Sequence, residues 1–431
     1  RGLLGLREQG RLGLGHGRAK ACLAGRFVPT GAPRVVDGLS ARVYIGRFTP
    51  SGNRFIAGFQ DRRVRVYSTA GGRSQWELKK EILAHQLNWT ITDTAMTGDE
   101  QRLAYATISP VVQLVNLHAH SDVHSVQNVN DIHEPLDFSK TEDGEHGHNF
   151  AIWSIKVSHS SDKIIAGTSD YCVAEFDVER NVRTIDCEGH EDDVNSVAYL
   201  DGSENLILSG SDDAAIRVWD RRTLASSGRS RPAGTFYGHT EGITFVAPKG
   251  DGRYFVSNGK DQKAKVWDVR KATTQPIPSR HSGPSYSFDY RWQRYPRNPK
   301  RVRHKYDTSL LTFVGHSVLN TLIRVNWSPL ETTGQRYVFS GSACGSVFIY
   351  DITTGQRVAR LRYHNSVVRD CDWHPTEPLL ASVGWDGQVA QWSYMGEAGG
   401  ARGPKNTAID AFSRFYHVAG FMAMESDGEG E

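Results

Sequence analysis

The strongest constraint on this chain is a unit that occurs twice in succession between residues 189 and 270. Each copy opens on Gly-His, at Gly189-His190 and Gly238-His239. Each closes on Trp-Asp, at Trp219-Asp220 and Trp267-Asp268, with the two tryptophans 48 residues apart. Inside the copies a second set of residues recurs in the same order: His190, Ser209, Asp213 and Trp219 answer to His239, Ser257, Asp261 and Trp267. An imidazole, a hydroxyl, a turn carboxylate and an indole can all be buried in a small β-unit only if they bond one another, so they should occur together. One Gly-His or one Trp-Asp would carry little weight. Two nearly complete sets exclude coincidence.

A repeat of this length with these ends is the signature of a WD40 blade, four short antiparallel strands. The same rhythm runs on in both directions. A divergent first unit lies at about 43–67, where Asp61 stands six residues before Tyr67, as Asp213 does before Trp219. A second, at about 87–115, has no turn aspartate. A third, at about 150–176, restores it as Asp170, six before Phe176. The pair above supplies the fourth and fifth. The sixth runs from Gly315-His316 to about Tyr350-Asp351 and carries Cys344 in the aspartate's place, so its bonded set should be incomplete or differently filled. The seventh, 363–392, has His364, Ser382, Asp386 and Trp392. The expected fold is all-β, a seven-bladed WD40 β-propeller over 25–395. A basic, disordered segment at 1–24 and a flexible tail at 396–431, ending in the acidic ESDGEGE, are expected to flank it. Gly25-Arg26-Phe27-Val28 is the expected closing strand, since an open ring would leave sheet edges unpaired.

Two insertions interrupt the rhythm, near 117–148 and 271–310. The first holds His118, His120, His124, His133, His146 and His148 among acidic residues. A metal site is conceivable there, but the spacing fits no tight ligand set and reads as a solvated loop. No metal or cofactor is expected. The second contains RWQRYPRNPKRVRHK, in which Arg291, Arg294, Arg297, Lys300, Arg301, Arg303 and Lys305 are interrupted by no acid. Arginines mixed with aromatics suit nucleic acid, an acidic peptide or a nuclear-import receptor, against the plainer reading of a surface loop. The histidines at blade starts, His190, His239, His316 and His364, read as core groups. With no P-loop glycines and no GxSxG nucleophile, the chain reads as a non-catalytic binding platform. Five scattered cysteines without a CxxC pair fit reduced thiols, hence nucleus or cytoplasm. No apolar run reaches a membrane span, and a net charge of +3 singles out no partner. The chain opens at Arg1 rather than methionine, so a missing leader carries no weight for location.

The residues just after the two central Trp-Asp pairs are more telling. The sequences WDRR and WDVR place Asp220 with Arg222 and Asp268 with Arg270, on one rim and one blade apart. Two fixed guanidinium groups make a directional docking face for carboxylates or carbonyls. Paired WDxR endings resemble the docking box of substrate receptors that join the DDB1-type adaptor of cullin-4–RING ubiquitin ligases. Over about 33–395 the chain is similar to the DDB1- and CUL4-associated factor 11 family with its plant and algal relatives. The similarity lies in FIAGFQDRRVRVY (55–67), WTITDTAMTGDEQRLAYATISP (89–110), DDVNSVAY (192–199), FDYRWQRYP (288–296), LTFVGHSVLNTLIR (311–324) and VVRDCDWHP (367–375). FDYRWQRYP lies outside any repeat signature. The resemblance implies that Asp220, Arg222, Asp268 and Arg270 dock the adaptor. It further implies that cullin-4 and the RING subunit join through the adaptor, and that the propeller presents an unidentified protein target. The alternatives are a scaffold of another nuclear or cytosolic complex, or a nucleic-acid-binding propeller using 291–305.

Overall fold

The computed structural model describes residues 27–72, 76–85, 89–117, 133–139, 150–224, 228–274, 288–296 and 298–394. They form seven four-stranded antiparallel sheets, the blades of a WD40 β-propeller. In chain order the blades span 43–83, 91–137, 152–188, 194–236, 243–314 and 325–362. The seventh joins 368–393 to Arg34–Gly38. Within each of the first six the strands follow in sequence order, the first innermost. A short strand, Gly228–Arg229, adds a parallel fifth to the edge of blade 3.

Burial follows from this layering. The second strand of a blade has neighbours on both faces, and Leu379–Gly384 is buried at every position. The outermost strand meets solvent, so Arg357–Arg362 buries only Leu361 fully. Seven apolar clusters each straddle two adjacent blades. Trp219 packs with Ile185 and Cys187 of blade 3, Trp267 with Leu208 and Phe236 of blade 4, and Phe55 and Phe59 with Val383 and Val389 of blade 7. A single blade therefore has no core of its own, and closing the ring completes the last interface, between blades 7 and 1.

The closing strand is not 25–28 but Arg34–Gly38, which pairs antiparallel with the last strand, Arg34 opposite Gln391 and Gly38 opposite Gln388. Pro29 and Pro33 have no N–H for a ladder and separate Phe27-Val28 from the segment that does pair. Val28 is instead buried between blades 6 and 7. Tyr67, at the tryptophan position of blade 1, donates its hydroxyl to Asp37 on the closing strand, which also takes Arg65, each at 2.5 Å. A second difference concerns the first insertion: His133 belongs to the outer strand of blade 2, His133–Asp137. Pro135 hides that strand in the sequence but is tolerated at a sheet edge. His118, His120, His124, His146 and His148 lie outside the described residues, as do 1–24 and 396–431.

Candidate docking faces

The recurring polar sets are built alike in three blades. His190 Nδ1 lies 2.9 Å from Asp213, its Nε2 2.6 Å from Ser209 Oγ, and Trp219 Nε1 donates to the same hydroxyl at 2.8 Å. In blade 5 the distances for His239 to Asp261, His239 to Ser257 and Trp267 to Ser257 are 2.9, 2.7 and 2.7 Å. In blade 7 those for His364, Asp386, Ser382 and Trp392 are 3.0, 2.8 and 2.8 Å. Burial pushes the His190 imidazole below its ordinary range. Burial alone would raise Asp213, but His190 and Arg217 hold it well below the usual carboxylate range. Every polar atom of these sets is spent inside the blade, so they hold strands rather than act on a substrate. In blade 6 His316 turns elsewhere, to Tyr350 Oη at 3.0 Å and Asn258 Oδ1 of blade 5 at 2.9 Å. Blade 1 has Ala57 where the serine would stand, and Asp61 meets Arg63. In blade 3 Asp170 accepts the Thr168 hydroxyl.

One face carries the turns after third strands. There Asp220 and Asp268 each cap a single 3-10 turn, Arg221–Thr223 and Val269–Lys271, by accepting the backbone N–H two residues on. The same carboxylate then grips that residue's side chain. Arg222 donates through Nε at 2.9 Å and Nη2 at 2.7 Å to Asp220, and Arg270 at 3.1 and 2.9 Å to Asp268. Both guanidinium groups stay about two-thirds exposed, at 68% and 65%. Each chelate uses two of the five guanidinium donors and fixes the plane of the rest, so an incoming acceptor meets a pre-oriented arginine. The surroundings differ: Asp268 also takes Arg253 at 3.0 Å, whereas Arg221 reaches across to Glu175 of blade 3. The matching turn of blade 6 keeps Asp351 as a cap but has Thr353 at the arginine position. That of blade 3 has Glu179.

The channel holds charges that the repeat pattern gave no reason to expect. Arg324 of the inner edge of blade 6 spans the ring, bonding Asp93 and the Thr92 carbonyl of blade 2 at 2.8 and 3.1 Å and Asp370 of blade 7 at 3.0 Å. Arg369 reaches the Tyr44 and Thr92 carbonyls, and Lys156 of blade 3 reaches Asp93 at 3.1 Å. Arg324, Arg47 and Lys156 lie 5.2, 5.6 and 6.0 Å from the Phe245 ring centroid of blade 5. Burial pulls Lys156 down to about 8, against Asp93, and raises Asp372 to about 7. The available signal was charge at inward positions of first strands, Asp93 in ITDTAM and Arg369-Asp370 in VRDCDW.

Described residues of the second insertion meet the opposite face. There the Tyr290 carbonyl accepts Asn320 N–H at 2.8 Å, Lys260 lies 4.0 Å over the Tyr290 ring, and the Val302 carbonyl accepts from Lys263. Lys260 and Asn320 belong to the loops between second and third strands and between blades, which open on the face away from Arg222 and Arg270. Arg291, Arg294, Lys300, Arg301, Arg303 and Lys305 are exposed there, and Arg297 is outside the described residues. Among the described residues no group of three or more His, Cys, Asp or Glu is placed to hold a metal.

Comparison with known proteins adds the family. A LEC14B protein of Lithospermum erythrorhizon is 44% identical over 389 residues, covering 89% of this chain and 80% of that one. The chain belongs to the LEC14B family. A LEC14B homolog of Prunus armeniaca is 41% identical, over 89% of this chain and 79% of its own. A Caenorhabditis elegans protein named DDB1- and CUL4-associated factor 11 homolog is 39% identical over 84% of this chain and 62% of its own length. The sequence model described as WD domain, G-beta repeat matches 180–220, 230–268 and 355–393 of this LEC14B-family chain. Those segments hold the third strands of blades 4, 5 and 7, the blades with the full His–Ser–Asp–Trp set.

Proposed function

We propose that this LEC14B-family propeller is the substrate receptor of a cullin-4–RING ubiquitin ligase, docking on a DDB1-type adaptor through Arg222 and Arg270. The observation that carries the reading is the repeated chelate: two adjacent blades hold an exposed arginine in the same geometry on one face. The related nematode protein, whose name states association with DDB1 and CUL4, lends support to the choice of partner. A docking surface of two rigid guanidinium groups suits carbonyl and carboxylate acceptors at a protein interface, where pre-orientation reduces the entropy lost on binding. The propeller would then act by proximity, raising the target's effective concentration at the ligase without a catalytic residue of its own. The test is capture of purified adaptor by wild type and by the Arg222→Ala/Arg270→Ala double variant. Wild type binds, and the double variant binds at least about ten-fold more weakly while melting as one cooperative unit. Equal binding by both, or none by wild type, overturns the reading in favour of a scaffold in another assembly.

A further inference from the structure

The turn at 288–296 repeats the docking device on the other face. Asp289 accepts the Arg291 backbone N–H at 2.9 Å and the Arg291 side chain through Nε at 3.0 Å and Nη2 at 2.8 Å. This is the pattern of Asp220-Arg222 and Asp268-Arg270, with the Arg291 side chain again 61% exposed. Here, however, the next residue is Trp292, 85% exposed. An indole so uncovered gains nothing from folding, yet the turn that carries it is firmly built. Trp292 and Gln293 both donate backbone N–H groups to the Asp289 carbonyl at 3.2 and 2.9 Å. Phe288 and Tyr295 close the base edge to face at 5.3 Å, and Tyr290 is pinned beneath Lys260. An exposed tryptophan on a hydrogen-bonded turn, beside a pre-oriented arginine, has the composition of an interface anchor.

We propose that this turn is the target-binding site, and that it takes a protein segment carrying an acidic side chain next to an aromatic or aliphatic one. The carboxylate meets the donors of Arg291 that Asp289 leaves unused, and the apolar side chain covers Trp292. The basic loop does not continue as a track for a nucleic-acid strand, because an acidic edge adjoins the turn. Lys260, the cation over Tyr290, is already paired with Asp212 at 2.7 Å. Asp192 and Asp193 adjoin Asp212 on the same edge of blade 4, crowded enough that burial and the two neighbouring carboxylates raise Asp193 to about 6. A polyanion carries charge at every step and meets this edge. A peptide with one or two acids need not. Assigning the site to the ligase target rests on the receptor reading above, but the binding itself does not.

The experiment is panning of a phage-displayed random dodecamer library on the full chain, followed by titration of the selected peptides. Wild type is expected to enrich sequences with Asp or Glu within two residues of an aromatic or aliphatic residue. Trp292→Ala and Arg291→Ala should each weaken those peptides about ten-fold. Both side chains are exposed, so the melting temperature should not move. Arg222→Ala/Arg270→Ala should bind the peptides as wild type does, which separates this site from adaptor docking. The proposal falls if nothing is enriched above the Trp292→Ala background, or if selected peptides bind that variant equally well. It also falls if Arg291→Ala abolishes binding of a labelled single-stranded oligonucleotide while peptides bind unchanged.

Discussion

His316 shows how one substitution re-routes a bonded set. With Cys344 where blades 4, 5 and 7 have an aspartate, the imidazole has no carboxylate to orient it and rests between a phenol and an amide. Burial therefore pushes it down to about 4, opposed only by distant Asp261. The sign comes from linkage. The unfolded chain takes up the proton near 6.5 and the folded chain only near 4, so the stabilising contribution is intact above pH 6.5 and lost as pH falls toward 4. Urea unfolding across that range should show wild type losing stability relative to His316→Gln by about 3 kcal/mol, the equivalent of the shift. Parallel curves would mean that His316 does not titrate this way. Cys344 could be read from the sequence as a break in the pattern. The partners that replaced the aspartate could not, because Asn258 belongs to another blade and carries no repeat signature.

At the scale of elements, the closing strand and the second insertion do the work that the repeats cannot. The ring closes through one five-residue strand, and its bond to blade 1 depends on Asp37. The Asp37 carboxylate, which burial would raise, is held below its usual range by Tyr67 and Arg65. Asp37→Ala should cost about 2 kcal/mol and Tyr67→Phe somewhat less, and the double variant should cost less than the sum, because one bond is removed twice. Thermal melts of the four proteins decide it, and strict additivity would show that the hydroxyl and carboxylate are not coupled. Sequence reasoning sets this strand too early because Phe27-Val28 has strand character locally. The register against Gln388–Ser393 distinguishes it from Arg34–Gly38. The insertion was legible as basic and aromatic, but the place of Tyr290 on the opposite face rests on its contacts with Lys260 and Asn320.

For the whole molecule, the seven interfaces give the ring a continuous shell, and the channel ions tie its far sides together. Arg324 alone links blades 6, 2 and 7 through charged groups buried at the axis. Asp93, which burial would raise, is held far below the carboxylate range by Arg324 and Lys156. Arg324→Met should cost roughly 3–5 kcal/mol, since it takes the bonded guanidinium from buried Asp370 and leaves Lys156 as the cation bonded to Asp93. Adding Asp93→Asn should recover part of the loss. Chemical denaturation of the single and double variants measures both, and a neutral Arg324→Met would mean that solvent reaches the channel freely enough to replace the guanidinium.

The sequence by itself determined the architecture: blade count, the bonded sets of blades 4, 5 and 7, and the two Asp-x-Arg turns. Each is written within one repeat, as a spacing or a tripeptide, and local chemistry is enough to read it. The tertiary structure alone decided which strand closes the ring, how charges from several blades meet around the Phe245 ring, and that Asp289-Tyr290-Arg291 builds the Asp-x-Arg chelate again on the other face. Those depend on which residues curvature brings together across the axis and over the rim, and pairs such as Thr92 with Arg324, 232 positions apart, leave no periodic trace in the chain.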